Sequence, residues 1–517
     1  MRLHDLFEYH ARTTPARPCV IDGERELGYG EVAAQADRLV NALRGAGLAP
    51  GDRFGYLSRN SADMVVAFLA ASKSGAVALP LNWRLAPVEW QHILAQAGAR
   101  LLIAQAEFAA AFDEARLPGL DAAYIVDGRR EGWNDYRAWL ASQSDTATAT
   151  DDDACLALYQ MYTSGTTGEP KGVVIAHHAV IANAMQAMLV FEPRFSPQDR
   201  ALIVMPMFHA GAASFVVGTL MTGATMVIHR EFKPGTLVDA LAGGITIANL
   251  VPAMLQMALT QVPDVSNRDY SRLHTIIYGA SPIAEDTLRR ALAVFRCRFY
   301  QGYGQTEATA SLTMLTHADH ERALAGQPEL LLSAGRPIAG TRIRIVDTQG
   351  RDLPAGAIGE IVVRGPQLME GYWNKPAETA VAFLDGWLRT GDVGRLDAEG
   401  YLYICDRSKD VIISGGENVY PREVENMLFA HPAIADAAVI GIPDVTYGEA
   451  VLAVVVLKDG AKLSADEVVT HCRRHLGGYK LPRRVEFVAS LPRNPSGKVL
   501  KGELRAPYWR SHARNVV

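Results

Sequence analysis

Thr163, Ser164, Gly165, Thr166, Thr167 and Gly168 form an unbroken run of small or hydroxyl-bearing residues, followed after Glu169 and Pro170 by Lys171 and Gly172. Small residues let a backbone approach an oxyanion closely, and Thr and Ser hydroxyls donate to phosphate alongside exposed N–H groups. Lys171 adds a point cation. The spacing is not GxxxxGK[ST], so this is a different phosphate loop, entered from an apolar run that predicts a strand over 155–162. A second string, YQGYGQTE at Tyr300–Glu307, has glycines at 302 and 304 that again permit close approach. There Thr306 offers a hydroxyl to a phosphate, Glu307 a hard oxygen ligand suited to Mg²⁺, and Tyr303 a flat face for a base. In WLRTGDVG, Asp392 can accept from a ribose diol, and Arg407 in YLYICDRSKD can donate to it. The fourth string, PRNPSGKVLK at Pro492–Lys501, is a Gly- and Pro-rich loop around Lys498. Each residue taken singly has a plain alternative: a polar turn, a surface ion pair, a solvated lysine. Their order along one chain is what makes them a set.

The Tyr162–Gly172 string resembles the phosphate loop of the adenylate-forming superfamily, which includes acyl-CoA synthetases, luciferases and peptide-synthetase adenylation domains, and the later motifs follow in that family's order. The resemblance implies a two-step reaction: a carboxylic acid and MgATP give acyl-AMP and pyrophosphate, then a thiol, coenzyme A, displaces AMP. It assigns Thr163–Thr167 and Lys171 to ATP, Thr306 to the α-phosphate and Glu307 to magnesium. Tyr303 and Gly302 lie on one side of the adenine, and Gly279, Ala280 and Ser281 on the other. Asp392 and Arg407 hold the ribose, Lys409 is the hinge, and Lys498 enters the site during adenylation. In SGGENVYPREVE, the resemblance places Ser414, Gly415 and Gly416 at the thiol tunnel, with Gly415 lining it. His209, in PMFHAGAASF, falls where the family has an aromatic gate between acyl pocket and tunnel; amino-acid-activating relatives tend to carry Asp there.

The elements that must position these residues alternate. Strand-like runs at 201–204, 225–228, 275–278 and 342–346 are separated by helical patterns such as 31–45 and 284–294, which predicts parallel βαβ units with ligands at the carboxyl ends of the strands. The stretch 64–81 reads as a buried helix and a strand, not a membrane span. From Gly359 the texture turns to short strands and Gly-rich turns. Behind it comes a compact unit with helices expected at 421–430 and 464–476 and strands at 437–440, 450–457 and 484–488. The expected fold is α/β: a large N-terminal domain of sheets layered with helices plus a small β-rich subdomain, then a small mobile α+β domain. The expected boundaries are 1–405, a hinge at 406–410, and 411–517.

Composition narrows the partners. The chain has 517 residues, a net charge of −5 and 49% hydrophobic residues, which favours a multi-domain globular protein and gives no general attraction to nucleic acid. Five scattered cysteines without a CxxC pair fit neither a zinc site nor a disulfide framework and point to the cytoplasm; the N-terminus carries no apolar signal segment. His317 and His320 are expected at the surface, since no third metal ligand is near. The basic run 473–484 suits coenzyme A phosphates, lipid head groups at a peripheral membrane contact, or plain solvent. A monomer and a homodimer are both compatible. A ligase that loads a carrier-protein thiol is the nearest rival. A dinucleotide oxidoreductase is disfavoured because GYGQTE has Glu where GxGxxG needs its last Gly. The stretches 209–217 and 249–255 are largely small or apolar and hold no Arg or Lys, which favours a hydrophobic monocarboxylate (fatty, aryl or polycyclic).

Overall fold

Runs such as Thr275–Gly279 and Ile247–Leu250 are buried along almost their whole length, as strands covered on both faces must be. A computed structural model of the chain describes residues 1–112, 119–150, 156–163, 170–281, 283, 285–407, 410–414, 417–493 and 499–509. In it these runs form the middle of a nine-stranded sheet, in the order Arg336–Pro337, Thr313–Leu315, Arg298–Tyr303, Thr275–Gly279, Ile247–Leu250, Arg200–Ile203, Thr225–Ile228, Pro18–Asp22, Arg25–Gly28. The strands from Arg298–Tyr303 to Pro18–Asp22 run parallel, and antiparallel strands close both edges. A second sheet of eight strands has Arg53–Leu57 and Val77–Pro80 at its centre. Ala157–Thr163, Lys171–Ala176 and Gly371–Tyr372 are added along one side.

The layer between the two sheets is helical. Ala62–Ser74 is buried on almost every side and packs on strands of both sheets, as a helix apolar all round requires. His177–Met188 and Ala210–Thr222 lie side by side in the same layer. The β-rich subdomain is an antiparallel sheet of Arg342–Val346, Gly359–Arg364, Trp387–Leu396 and Phe383–Leu384, with Leu402–Arg407 paired to Trp387–Leu396.

The small C-terminal domain centres on the hairpin Ile434–Asp444 and Gly448–Leu457, and its period-two alternation serves two cores at once. Ala437, Val439, Val451 and Ala453 pack under the helices Pro421–Phe429 and Ala465–Arg473. Ala438, Ile440, Leu452 and Val454 pack toward Leu504 and Tyr508 of the helix Lys501–Trp509. Ion pairs gather where this domain meets the last strand of the β-rich sheet. Lys501 Nζ lies 2.8 Å from Glu425 and 3.8 Å from Asp406, the Arg422 amide donates to Asp406 at 3.0 Å, and Arg505 pairs with Asp410.

The expected elements stand with longer or shorter ends, except that the strand at 342–346 belongs to the antiparallel β-rich sheet and not to a parallel βαβ unit, so that subdomain begins before Gly359. The strand expected at 437–440 runs from Ile434 to Asp444 because its hairpin partner pairs along that whole length. The helix expected to reach 476 ends at Arg473, where the amides of His475 and Leu476 both turn back onto Cys472 O. Residues 143–150 run along the surface without regular structure, tied down by Arg38 and Asn41. The expected helix and strand at 64–81 are Ala62–Ser74 and Val77–Pro80, and no helix among the described residues is long and apolar enough to cross a membrane.

His177, at the start of its helix, has both ring nitrogens buried without a hydrogen-bond partner. Burial, reinforced by Arg2 and His4 and opposed by Asp5, pulls its pKa from 6.5 to about 3. His4, bonded to Ser72, is lowered by the same cause. Between about pH 6.5 and 3 the unfolded chain therefore binds more protons than the folded one, so stability is lost as pH falls through that window. The midpoint of thermal unfolding should drop steadily on acidification from pH 6.5 to 4, and His177→Phe should shrink that drop. An equal drop in the variant would mean that other groups carry it.

Candidate active site

The floor of the site is the pairing of Thr275–Gly279 with Arg298–Tyr303, which sets Gly279 opposite Gly302. A Cβ on Gly279 would lie 2.3 Å from Gly302 O, so only glycine allows the two strands to end this close together. Ala280 follows at φ 67°, a strained backbone position of the kind held at functional loops. Beyond Tyr303 the chain folds flat on itself: a Cβ on Gly304 would meet Ala310 O at 1.7 Å. This close turn carries Gln305 and the short helix Thr306–Ala308, with Thr306 facing a cavity.

Glu307 is held from both ends. Its carbonyl accepts from the Met369 amide at 2.9 Å, and its carboxylate accepts from Tyr372 Oη at 3.0 Å. The Tyr372 ring lies 5.0 Å from Lys171 Nζ, and Gly371–Tyr372 pairs with Val173–Val174. Lys171 opens the return strand of a hairpin, directly opposite Thr163. The structure thus brings Thr163, Lys171 and Glu307 together through a tyrosine the sequence reading did not single out; Ser164, Gly165, Thr166 and Thr167 lie outside the described residues. Asp392 is buried, accepts from Tyr303 Oη at 2.7 Å, and stands opposite Arg407 across the strand pair Trp387–Leu396 and Leu402–Arg407. Thr390 donates to Ile361 O and accepts from the Asp392 amide, which fixes the strand at this point.

From Gly279, Ala280, Gly302, Tyr303 and Thr306 the cavity, of about 360 Å³, extends into the helical layer. His209 stands in its wall, at the start of the helix Ala210–Thr222 and against Phe208. Its Nε2 is buried without a partner, and burial, with Arg84 adding repulsion, lowers its pKa to about 4. The imidazole is therefore neutral near pH 7, with Nε2 buried inside the wall. Arg84 itself lines the cavity, from outside the apolar stretches that sequence reading searched. It follows the strand Val77–Pro80, and its guanidinium, at 4.6 Å, and that of Arg59, at 4.4 Å, both lie over the Trp83 ring. The available signal was position: a Trp-Arg pair just past the carboxyl end of a parallel strand.

The surface assignment of His320 is overturned. It is fully buried, with Nδ1 2.7 Å from Thr316 O and Nε2 2.9 Å from Tyr278 Oη, while burial holds its pKa at about 4. A carbonyl only accepts, so Nδ1 carries the proton, while Tyr278 Oη, which donates to Gln301 Oε1 at 3.1 Å, stands against Nε2. This fixes the strand that ends in Gly279. His317 is partly exposed, 3.6 Å from Glu321. Ser281 is described but makes no part of the cavity wall, and Ser414 sits in the small sheet, paired with Glu417 and Gly448. Lys409, Gly415, Gly416 and Lys498 lie outside the described residues, and of Arg407 the backbone alone is described. Within the basic run, Lys480 pairs with Glu423, and Arg483 stacks on Tyr447.

Two parallel sheets whose loops meet over a glycine floor, with a carboxylate, a cation and a buried aspartate converging there, define a nucleotide-binding enzyme with an attached small-molecule cavity. Residues 7–373 match the family described as AMP-binding enzyme, and residues 423–498 its C-terminal domain. The chain belongs to that family. It is 41% identical over 98% of its length, and 96% of the relative's, to the fatty acid–[acyl-carrier-protein] ligase ScoC of Streptomyces coeruleorubidus. To a feruloyl-CoA synthase of an Amycolatopsis species it is 40% identical, over 96% of each chain. Among solved structures, the anthranilate CoA ligase AuaEII in complex with anthranoyl-AMP superposes with a TM-score of 0.90, 27% identity and coverage of 98% of this chain and 97% of that one.

Gly302 and Gly304 separate two uses of glycine. A Cβ on Gly302 meets nothing nearer than Ser311 Oγ at 4.0 Å, whereas one on Gly304 collides with backbone. Gly304→Ala should cost about 3 kcal/mol in denaturant unfolding, while Gly302→Ala should unfold at the wild-type midpoint. Equal midpoints for the two variants would contradict the packing of the turn.

Proposed function

We propose that this AMP-binding enzyme is an ATP-dependent acyl-CoA ligase acting on a hydrophobic monocarboxylate. The observation that carries the reading is one continuous cavity, apolar in the helical layer and ending at the Gly302–Thr306 turn beside Glu307. An acid seated there presents its carboxylate where the nucleotide motifs converge.

In the first half-reaction a carboxylate oxygen of the acid attacks the α-phosphorus of ATP, the bond to pyrophosphate breaks, and acyl-AMP remains. Both reactants are anions, so positioning and preorganised positive charge supply most of the catalysis. Thr163–Thr167 and Lys171 hold the phosphates, Thr306 donates to the α-phosphate, Tyr303 and the Gly279–Ser281 loop enclose the adenine, and Asp392 with Arg407 takes the ribose. Glu307 suits Mg²⁺: its carboxylate takes one hydrogen bond and, among the described residues, no Lys or Arg ion pair, and Mg²⁺ is commonly held by one or two carboxylates plus substrate phosphates. Bound there, the ion would neutralise charge on the phosphate oxygens.

In the second half-reaction the thiol of coenzyme A attacks the acyl carbon and AMP leaves. We assign 1–405 to the ATP- and acid-binding domain, 406–410 to a hinge turning at Lys409, and 411–517 to a mobile domain. This domain brings in Lys498 for adenylation and the Ser414–Gly416 loop for thioester formation. Neutral His209 closes the cavity where thiol and acid meet. Such a reaction uses ATP and CoA in the cytoplasm. A carrier-protein thiol as acceptor is the second reading, favoured by the similarity to the fatty acid–[acyl-carrier-protein] ligase of Streptomyces coeruleorubidus.

Lys498→Ala should lose acid-dependent ATP–pyrophosphate exchange by about 10²-fold, the usual cost of one transition-state donor, yet still convert supplied acyl-AMP and CoA to thioester. Equal loss of both steps would remove the two-conformation scheme. Chasing preformed acyl-AMP with CoA or with a phosphopantetheinyl carrier protein decides the acceptor. Failure of every acid to release pyrophosphate would end the ligase reading itself.

A further inference from the structure

The walls of the acid cavity carry more information than their hydrophobicity. On the helix Ala210–Thr222, Gly211, Ser214 and Phe215 line it at i, i+3 and i+4. One turn on, Gly218 makes room for the tip of Met188: a Cβ there would lie 2.5 Å from Met188 Cε, so the methionine can lie across from the neighbouring helix and line the cavity. Beside it stands a fixed aromatic group. Phe191 stacks on Phe195 at 5.0 Å and meets Tyr300 edge-on at 5.0 Å, and Phe195 meets Phe215 edge-on at 6.0 Å. Tyr300 Oη is anchored to the backbone of Glu192, accepting from its amide and donating to its carbonyl. An aromatic wall tied to the backbone in this way does not retract to let a long chain through.

Five methionines add soft sulfur to a wall that also carries Arg84, His209 and Asn249. Met188, Met205, Met254, Met257 and Met314 surround the space from both sheet and helix sides. Thioethers make favourable contacts with aromatic ring edges, and phenylalanines with aromatic rings, beyond the plain burial that a straight alkyl chain also gains. Volume sets the size: a cavity of about 150 Å³ takes one benzene, and the 360 Å³ here must also reach the carboxylate position at Gly302–Thr306.

Resting on the ligase reading above, we propose that the acid is a compact ring-bearing acid of one or two rings on a short arm, not a long-chain fatty acid, and that Gly211 sets the size limit. A Cβ on Gly211 would meet only Met205 Cε, at 3.9 Å, so a larger side chain at this position grows into the cavity and not into the packed core.

The test is pyrophosphate release by the full chain with ATP and CoA over a panel of acids: cinnamic, 3-phenylpropanoic, naphthylacetic, butyric, octanoic and palmitic. The ring acids should lead, with palmitate lower in kcat/KM by tenfold or more; a straight-chain acid of any length ahead of every ring acid overturns the proposal. Gly211→Leu should cut kcat/KM for ring acids at least tenfold and for butyrate far less, with the KM for ATP and the unfolding midpoint unchanged. Undiminished use of ring acids by that variant also overturns it. A lowered midpoint would refer the result to Gly211→Ala, which should show a smaller shift of the same sign between ring acids and butyrate; no shift there overturns the proposal. Activity on straight chains with failure on rings sinks the substrate class alone, whereas silence with all acids sinks the ligase reading.

Discussion

The contact between Gly279 and the Gly302 carbonyl is the constraint on which the site rests. Two parallel strands can deliver their following loops to one point only if their last residues sit within contact distance, and the space left for a Cβ, 2.3 Å from an oxygen, is too small for any side chain. From that pinch one loop leaves through the strained Ala280 and the other through the flat turn at Gly304. The gap between them is the mouth of the cavity. A residue that separated the strands would move both walls of the site at once, together with Tyr303 and its hydrogen bond to the β-rich sheet.

Around this floor the three sheets of the large domain are joined by short polar links. Tyr303 reaches Asp392 of the β-rich sheet, and Tyr372, on the edge strand of the eight-stranded sheet, reaches Glu307 in the short helix that links two strands of the nine-stranded one. In each link a tyrosine supplies the neutral donor and a carboxylate the charge. A hydroxyl donor orients each carboxylate without itself bringing a charge. Histidine follows the opposite logic here. His209 and His320 are stripped of solvent and remain uncharged, one in the cavity wall and one behind it.

The motifs were legible because each is a short string of neighbouring residues, and residues 7–373 belong to the family those strings resemble. Helices and strands were legible through periodicity, to within a few residues at their ends. Arg84, Tyr372 and the buried His320 were not. Each acquires its place through partners far away in the chain: Arg84 with Trp83 and Arg59 at the cavity, Tyr372 with Glu307, His320 with Tyr278. A histidine on an amphipathic helix shows no sign in its own neighbourhood that a tyrosine hydroxyl waits behind it. The acid's size was equally hidden, since it depends on which of many apolar residues project into the same space.

The ion pairs at the domain junction divide into those that would travel and one that would not. In the rotation proposed about Lys409, Glu425 with Lys501 and Asp410 with Arg505 move together as parts of the small domain. Asp406 stays with the last strand of the large domain, and its contacts with Lys501, at 3.8 Å, and with the Arg422 amide reach across the pivot. Lys501 would keep its nearer partner, Glu425, in that swing. In that proposed rotation Asp406 would be a detent, its contacts broken and remade as the small domain turns.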